Sequence, residues 1–294
     1  MIYYFLPDRG IFGGVKVAFR FLEELGALGV PGVAVLPDGR APDWFASRVP
    51  VLSEADALAR LRPDDWKMIT WPPDHERLRG LPGRMVCHCQ GTDDRMDAIF
   101  ADADVLLLTC WEQAACVARE RFGRASIEVG ITIPERFLFA GERKLDDLVA
   151  YMPRRGADFA RACMRAARSL DFDAIDGVPE DEVARRLKRA GLFLATAVGE
   201  QFGLPALEAM AAGCVVLSVP VKGGMEFLHD GDDCVVCEPG DLPRRLLEIA
   251  APPAATTRAR LRQRAVATAA RYLPSRQRTR LKALLDGELR VLAS

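Results

Sequence analysis

The sequence predicts an α/β protein made of two parallel-sheet domains, and three observations carry that prediction. Short β-rich apolar runs alternate with stretches whose apolar residues recur at helical spacing, the pattern of repeated βα units. The chain has 294 residues, long for one simple domain and enough for two of roughly 140 residues, each with its own core. The alternation also pauses around residues 134–146 and then restarts.

In order, Ile2–Leu6 reads as a strand, followed by a loop with Gly10, Gly13 and Gly14. A helix follows over Val15–Leu28, with Val17, Phe21 and Leu25 on one face. Further strands are expected at Gly32–Leu36, Met68–Trp71, Met85–Cys89 and Val105–Thr109, and helices at Glu54–Leu61 and Trp111–Phe122. Ile127–Ile133 is an apolar run that ends at Pro134. The second half offers strands at Leu148–Met152, Gly191–Thr196 and Cys214–Pro220. Its helices are expected at Ala157–Leu170, Glu180–Ala190, Pro205–Ala212 and Leu242–Ala250. Two Arg-rich helical stretches follow, near Thr257–Tyr272 and Ser275–Leu292. The expected division is 1–137, 138–274 and a terminal helix over 275–294. No internal repeat is present.

Composition excludes several classes. The formal net charge is −1, which argues against nucleic acid as the main partner, since phosphate-backbone binding wants a strong basic excess. The longest apolar runs, such as Val105–Cys110, fall far short of the ~20 residues a membrane span needs. The N-terminus lacks the basic and apolar regions of a signal peptide and reads as a first strand, so a cytoplasmic location is the expectation. The eight cysteines fit reduced, structural thiols. Cys87-His88-Cys89 and Cys234-Val-Val-Cys237 resemble zinc half-sites, but neither has a partner pair at metal-ligand spacing.

The most informative stretch is Gly191 to Gly213, GLFLATAVGEQFGLPALEAMAAG. It reads as a buried strand, a tight loop and a helix that stops at a glycine. Pro205 suits a first helical turn and Gly213 the left-handed position past the end. Gly199 and Gly203 leave the backbone bare where a ligand could approach. The result is a helix N-terminus at the carboxyl end of a parallel strand, the place where open α/β sheets bind ligands and where free N–H groups favour a phosphate. Glu200 and Glu208 frame the spot. As carboxylates beside an anion site they suit hydrogen bonds from sugar and ribose hydroxyls; a solvated loop and helix surface is the plainer alternative.

Glu200-x7-Glu208, within EQFGLPALEAMAAG, resembles the signature of retaining GT-B glycosyltransferases of group 1, the GT4 type. The resemblance implies two Rossmann-like domains whose parallel sheets face an interdomain cleft, with acceptor side first and donor side second. It implies that Glu200 contacts the donor sugar, that Glu208 accepts from the ribose, and that the loop through Gln201, Phe202, Gly203 and Leu204 covers sugar and diphosphate. Val221–Gly231 is similar to the family's second glycine-rich segment. Met152-Pro-Arg-Arg-Gly156 sits where the family places a diphosphate-gripping basic pair, compressed here, so the resemblance implies Arg154 and Arg155 as phosphate ligands; a pair of solvated arginines is the alternative. In the first half, Gly13 and Gly14 resemble the family's first glycine-rich loop, and His88 its histidine facing the donor sugar; a structural turn and a structural histidine are the alternatives. The family's usual linker appears altered as Val129-Gly130-Ile131-Thr132.

What the resemblance implies is transfer of a hexosyl or deoxyhexosyl group, with retention, from a nucleoside-diphosphate sugar to an acceptor hydroxyl on a glycan, a lipid-linked carrier or a small molecule, as in polysaccharide biosynthesis. A helix N-terminus and arginines aimed at the leaving diphosphate would serve without cofactor or metal. Asp102 and Asp104 have the spacing of a metal motif but stand at the start of a strand. The competing expectations are a non-catalytic nucleotide- or sugar-binding protein of the same fold, and a dinucleotide enzyme, for which no Gly-x-Gly-x-x-Gly follows a strand.

From Pro252 to Lys282 there are nine Lys/Arg and no acid: Arg258, Arg260, Arg262, Arg264, Arg271, Arg276, Arg278, Arg280 and Lys282. Such a run suits an anionic membrane surface, on the inner face if the acceptor is lipid-linked; a solvated helix face is the alternative. The resemblance further implies that the final helix returns to the first domain.

Overall fold

The computed structural model describes residues 1–293 and divides into two compact units, 1–132 with the segment from Pro274 onward, and Ile133–Leu273. The division thus comes after Thr132 rather than after Phe137.

The first unit alternates strands and helices in the order β1 (Ile2–Phe5), α1 (Gly13–Ala27), β2 (Gly32–Leu36), β3 (Val51–Ser53), α2 (Glu54–Arg60), β4 (Trp66–Ile69), α3 (Pro72–Leu78), β5 (Arg84–Cys89), α4 (Asp97–Ala101), β6 (Val105–Thr109), α5 (Glu112–Phe122) and β7 (Ile127–Glu128). Among the described residues its sheet has seven strands in the order β3-β2-β1-β4-β5-β6-β7, all parallel. β1 is buried at every residue, as expected of a central parallel strand covered on both faces. Ser53 caps α2, its hydroxyl accepting from the Asp56 amide. Gly123 ends α5 in the left-handed region.

The second unit continues with β8 (Leu145–Tyr151), α6 (Ala157–Ala166), β9 (Asp171–Ala174), α7 (Glu180–Arg189), β10 (Ala190–Ala195), α8 (Leu204–Ala211), β11 (Val215–Ser218), β12 (Val235–Val236), α9 (Leu242–Ala250) and α10 (Ala255–Ala269). Its sheet runs β12-β11-β10-β8-β9, again parallel. α7 opens on Glu180, Asp181 and Glu182 and closes on Arg186, Lys188 and Arg189, charges that match the helix dipole at both ends.

The chain then returns to the first unit through α11 (Pro274–Asp286) and α12 (Arg290–Ala293). Leu281, Leu289 and Leu292 join the core of that unit beside Phe21 and Leu25. The Gln277 amide donates to the Val129 and Gly130 carbonyls, and Arg278 forks onto Glu24 at 2.8 and 3.2 Å.

Several expectations shift. β4 occupies 66–69, not 68–71, because Trp71 caps α3 and the Pro72–Pro73 pair starts that helix. The run after Ile127 is a strand for two residues only, and the backbone turns at Gly130, φ +74°. α6 stops at Ala166, and Asp171–Ala174, too polar to read as a strand, is an edge strand with Asp171 exposed and Asp173 paired with Arg186 of α7. The single helix expected to the C-terminus breaks at Gly287 into α11 and α12.

Part of the basic stretch is tied into the fold. Arg258 donates to the Ile249 and Ala251 carbonyls at the end of α9, Arg260 to that of Gly231, and Arg262 to that of Gly213. Arg262, Arg264 and Arg280 pair with Asp146, Asp232 and Glu128. These contacts tie that part of the stretch to neighbouring backbone carbonyls and acids, while Arg271, Arg276 and Lys282 are exposed. No helix among the described residues is long and apolar enough to cross a membrane.

Candidate active site

The second unit assembles its predicted residues at the carboxyl edge of its sheet. β10 ends at Ala195 and runs into the loop 196–203, which feeds α8. Gly203 is the N-cap of α8, at φ +89° and ψ +39°, and no side chain caps the helix. Pro205 has no N–H to satisfy, and Ala206 and Leu207 bond back to the Gly203 carbonyl. The Gly203 and Leu204 amides make no hydrogen bond among the described residues. The loop therefore leaves two backbone donors at the helix start, the groups an anion takes at such a position.

Two neighbouring segments hold this loop in place. Gly156, at φ +72°, lies so close to the Thr196 carbonyl that any Cβ there would collide with it, while the Thr196 hydroxyl donates to the Arg155 carbonyl at 3.1 Å. Glycine at 156 thus locks the arginine turn onto the end of β10. From the other side, the Lys222 amide donates to the Glu200 carbonyl at 2.9 Å and the Gly223 amide to that of Gln201 at 2.5 Å. Gly224 presses on the Phe202 carbonyl, again without room for a Cβ. Phe202 is buried with Phe227 and Tyr272, ring centroids 5.1 and 6.1 Å away. Its side chain anchors the loop; only its backbone can face a ligand.

The side chains then sort by position. Arg155 Nη1 lies 3.1 Å from Glu200 Oε2, with 60% and 26% of the two side chains exposed. Arg154 Nε lies 3.9 Å from Asp176 Oδ1. Arg155 is accordingly the arginine beside the Glu200 loop. Glu208, one turn inside α8, is only 3% exposed, so the two acids expected to frame the spot differ sharply in openness. Val221, Gly224 and Phe227, which shape the loop, lie in the Val221–Gly231 segment that the sequence singles out by resemblance, though without a role for each of them. The glycines at 156 and 224 were visible in the sequence, but their contacts depend on segments distant in the chain.

In the first unit, Gly13 and Gly14 open α1, with no side-chain cap. His88 corrects the expectation of a sugar-facing histidine. It is wholly buried, its ring stacked on Phe21 at 4.2 Å, with Nδ1 2.9 Å from Tyr4 Oη and Nε2 3.1 Å from Cys110 Sγ. Burial lowers its pKa to about 3, so the imidazole is neutral. Alternation along β5 places Cys87 and Cys89 on the face opposite, both buried, with thiol pKa values raised by desolvation. Asp102 is engaged by His75 at 2.7 Å and Arg79 at 3.4 Å. No group of three His, Cys, Asp or Glu among the described residues is placed to share a metal.

Residues 169–266 match the family described as Glycosyl transferases group 1, a span that contains β10, the loop, α8 and the Val221–Gly224 segment. No curated protein matches the chain. Among solved structures, the fold is that of Anabaena HepE, seen in complex with UDP and glucose (TM-score 0.72, 12% identity, 97% of this chain and 99% of that one). It is also that of a sucrose-phosphate synthase from Thermosynechococcus elongatus (0.70, 14%, 98% and 99%). A glycosyltransferase from Rickettsia africae is similar too (0.69, 8%, 97% and 97%). At these identities the likeness establishes the two-unit GT-B fold.

Proposed function

We propose that this chain, whose residues 169–266 belong to the glycosyl transferases of group 1, moves a sugar with retention from a nucleoside-diphosphate donor to an acceptor hydroxyl. The observation that carries the reading is the uncapped start of α8 with Arg155 and Glu200 beside it.

In the reaction, the bond between the anomeric carbon and the diphosphate oxygen breaks, the acceptor oxygen bonds to that carbon, and the acceptor hydroxyl's proton passes to the departing diphosphate. Charge grows on the departing diphosphate. Fixed donors already aimed there stabilise the transition state more than the ground state. The Gly203 and Leu204 amides and the positive end of α8 supply them, and the Arg155 guanidinium adds a bidentate charge-assisted contact. Arg154 serves further out. Glu200 accepts from a donor-sugar hydroxyl and Glu208 from the ribose. The electrostatic work rests on backbone and arginine, so the reaction as proposed needs no divalent metal.

HepE is a structure with UDP and glucose bound, which supports a nucleotide-sugar donor. The acceptor is a hydroxyl on a glycan, a lipid-linked carrier or a small molecule, the setting is polysaccharide biosynthesis, and the compartment is the cytoplasm, where eight free thiols stay reduced.

A thermal-shift panel of UDP, GDP, ADP, dTDP and CDP, followed by assay of diphosphate release from the matching nucleotide sugars, tests the reading. Selective stabilisation by one nucleotide with turnover of its sugar supports it. Stabilisation without turnover would identify a binding protein, and no stabilisation by any of them would remove the donor site.

A further inference from the structure

His88 belongs to a buried chain of polar side chains that leads to the surface at one residue. Cys110 Sγ lies 3.1 Å from His88 Nε2, His88 Nδ1 lies 2.9 Å from Tyr4 Oη, and Gln90 Nε2 donates to Tyr4 Oη at 3.0 Å. Tyr4, His88 and Cys110 are at most 1% exposed, whereas Gln90 is half-buried. With the imidazole neutral and the Gln90 amide donating, the phenolic proton points to Nδ1 and Nε2–H points to sulfur.

Burying a phenol, an imidazole and an amide where Phe or Leu would fill the space is unfavourable unless each is bonded. The chain is bonded throughout, and its one consequence outside the core is to fix the Gln90 amide. Tyr4 lies on β1 and Gln90 just past β5, so the amide stands at the carboxyl edge of the parallel sheet, where such sheets bind ligands. Its Oε1 is directed at Gly14, where a built Cβ would come within 2.7 Å. The bare backbone at 14 makes room for that oxygen.

We infer that Gln90 reads a hydroxyl group of a sugar substrate, and that Tyr4 and His88 are positioning residues which hold its amide in one orientation. This inference rests on the transferase reading above. A fixed amide offers one acceptor and one remaining N–H, the pairing that a sugar hydroxyl satisfies as donor and acceptor at once. A site built to bond a hydroxyl rejects a substrate that lacks it, because its own polar group is then left unpaired.

The experiment uses the full chain with the nucleotide sugar that the wild type turns over. Gln90→Leu keeps bulk and removes both hydrogen-bonding atoms; Tyr4→Phe keeps the core ring and removes the anchor. Gln90→Leu is expected to raise a KM by roughly three- to tenfold, with affinity for the bare nucleoside diphosphate unchanged and the melting temperature lowered only slightly by the lost bond to Tyr4. A raised donor KM in hydrolysis to water assigns the hydroxyl to the donor sugar, and a raised acceptor KM alone assigns it to the acceptor. Tyr4→Phe is expected to shift the same KM, and to add nothing in the Gln90→Leu background. Wild-type kinetics in Gln90→Leu would overturn the inference while leaving the transferase reading intact. So would a Tyr4→Phe loss that tracks its melting temperature and adds fully to that of Gln90→Leu. A wild type that neither binds nor turns over any nucleotide sugar would remove both.

Discussion

Arg155 and Glu200 face each other across 3.1 Å, Nη1 to Oε2, from two segments 45 residues apart. Both are placed by glycines: Gly156 sets the arginine turn against Thr196, and Gly224 sets the Glu200 loop from the opposite side. Without a ligand, the guanidinium proposed to hold the diphosphate is balanced by the carboxylate proposed to hold the sugar.

That pairing has a measurable consequence. An exposed ion pair is worth at most about 1 kcal/mol, so a diphosphate displaces Glu200 easily. Glu200→Gln is expected to bind the bare nucleoside diphosphate two- to threefold more tightly, roughly the strength of the lost competition. The same variant is expected to lose at least about tenfold in kcat with the full donor, as the sugar loses a charge-assisted contact. Calorimetry and turnover on one preparation check both directions.

Gly156→Ala tests how the arginine turn is held. The position needs φ +72° and leaves no space for a methyl group beside the Thr196 carbonyl. A destabilisation of about 3 kcal/mol is expected from strain and displacement together, read by denaturant unfolding. Gly199→Ala, also at positive φ but with open space around it, is expected to be destabilised by only about 1 kcal/mol.

The His88 ring gives stability a pH dependence of known sign. Its folded pKa is about 3, below the ordinary 6.5, so the unfolded chain binds the extra proton between those values. Stability from this group is complete above about pH 6.5 and falls as the pH drops towards 3. Between pH 7 and 4.5 the loss is expected to be roughly 2–3 kcal/mol. Unfolding of wild type and His88→Gln at several pH values isolates it, since the variant should lack that part of the slope.

The terminal helix should matter to the first unit. Leu281 is fully buried against α1 and its neighbours. Leu281→Ala is expected to destabilise that unit by roughly 2–5 kcal/mol, seen as faster amide exchange along α1.

Much of this was legible in the sequence because the decisive features were local. The strands β2 and β6 and the helix α9 fall where their apolar runs and flanking residues put them, and the Gly203-Leu204-Pro205 start of α8 reads directly as a loop meeting a helix. What the sequence hid was non-local or two-faced. Asp171–Ala174 forms a strand only because β8 pairs with it. His88 has the look of a site residue, yet a position on β5 flanked by Tyr4, Phe21 and Cys110 puts it inside the core, and Gln90 reaches the surface in its place. The Arg258–Arg264 run looks unattached in isolation, yet its guanidiniums reach the Ile249, Ala251, Gly231 and Gly213 carbonyls and nearby acids. Glu208 looked as open as Glu200 because burial of a helical position depends on what packs above it.

The amide hydrogens at the start of α8 report on the central claim most directly. Backbone amide NMR of the full chain, titrated with the nucleoside diphosphate that stabilises it, should show its largest shifts and strongest protection at Gly203 and Leu204, lost in Arg155→Ala at equal concentration. Saturable nucleotide binding that leaves those two amides unmoved would contradict a diphosphate held on that helix tip.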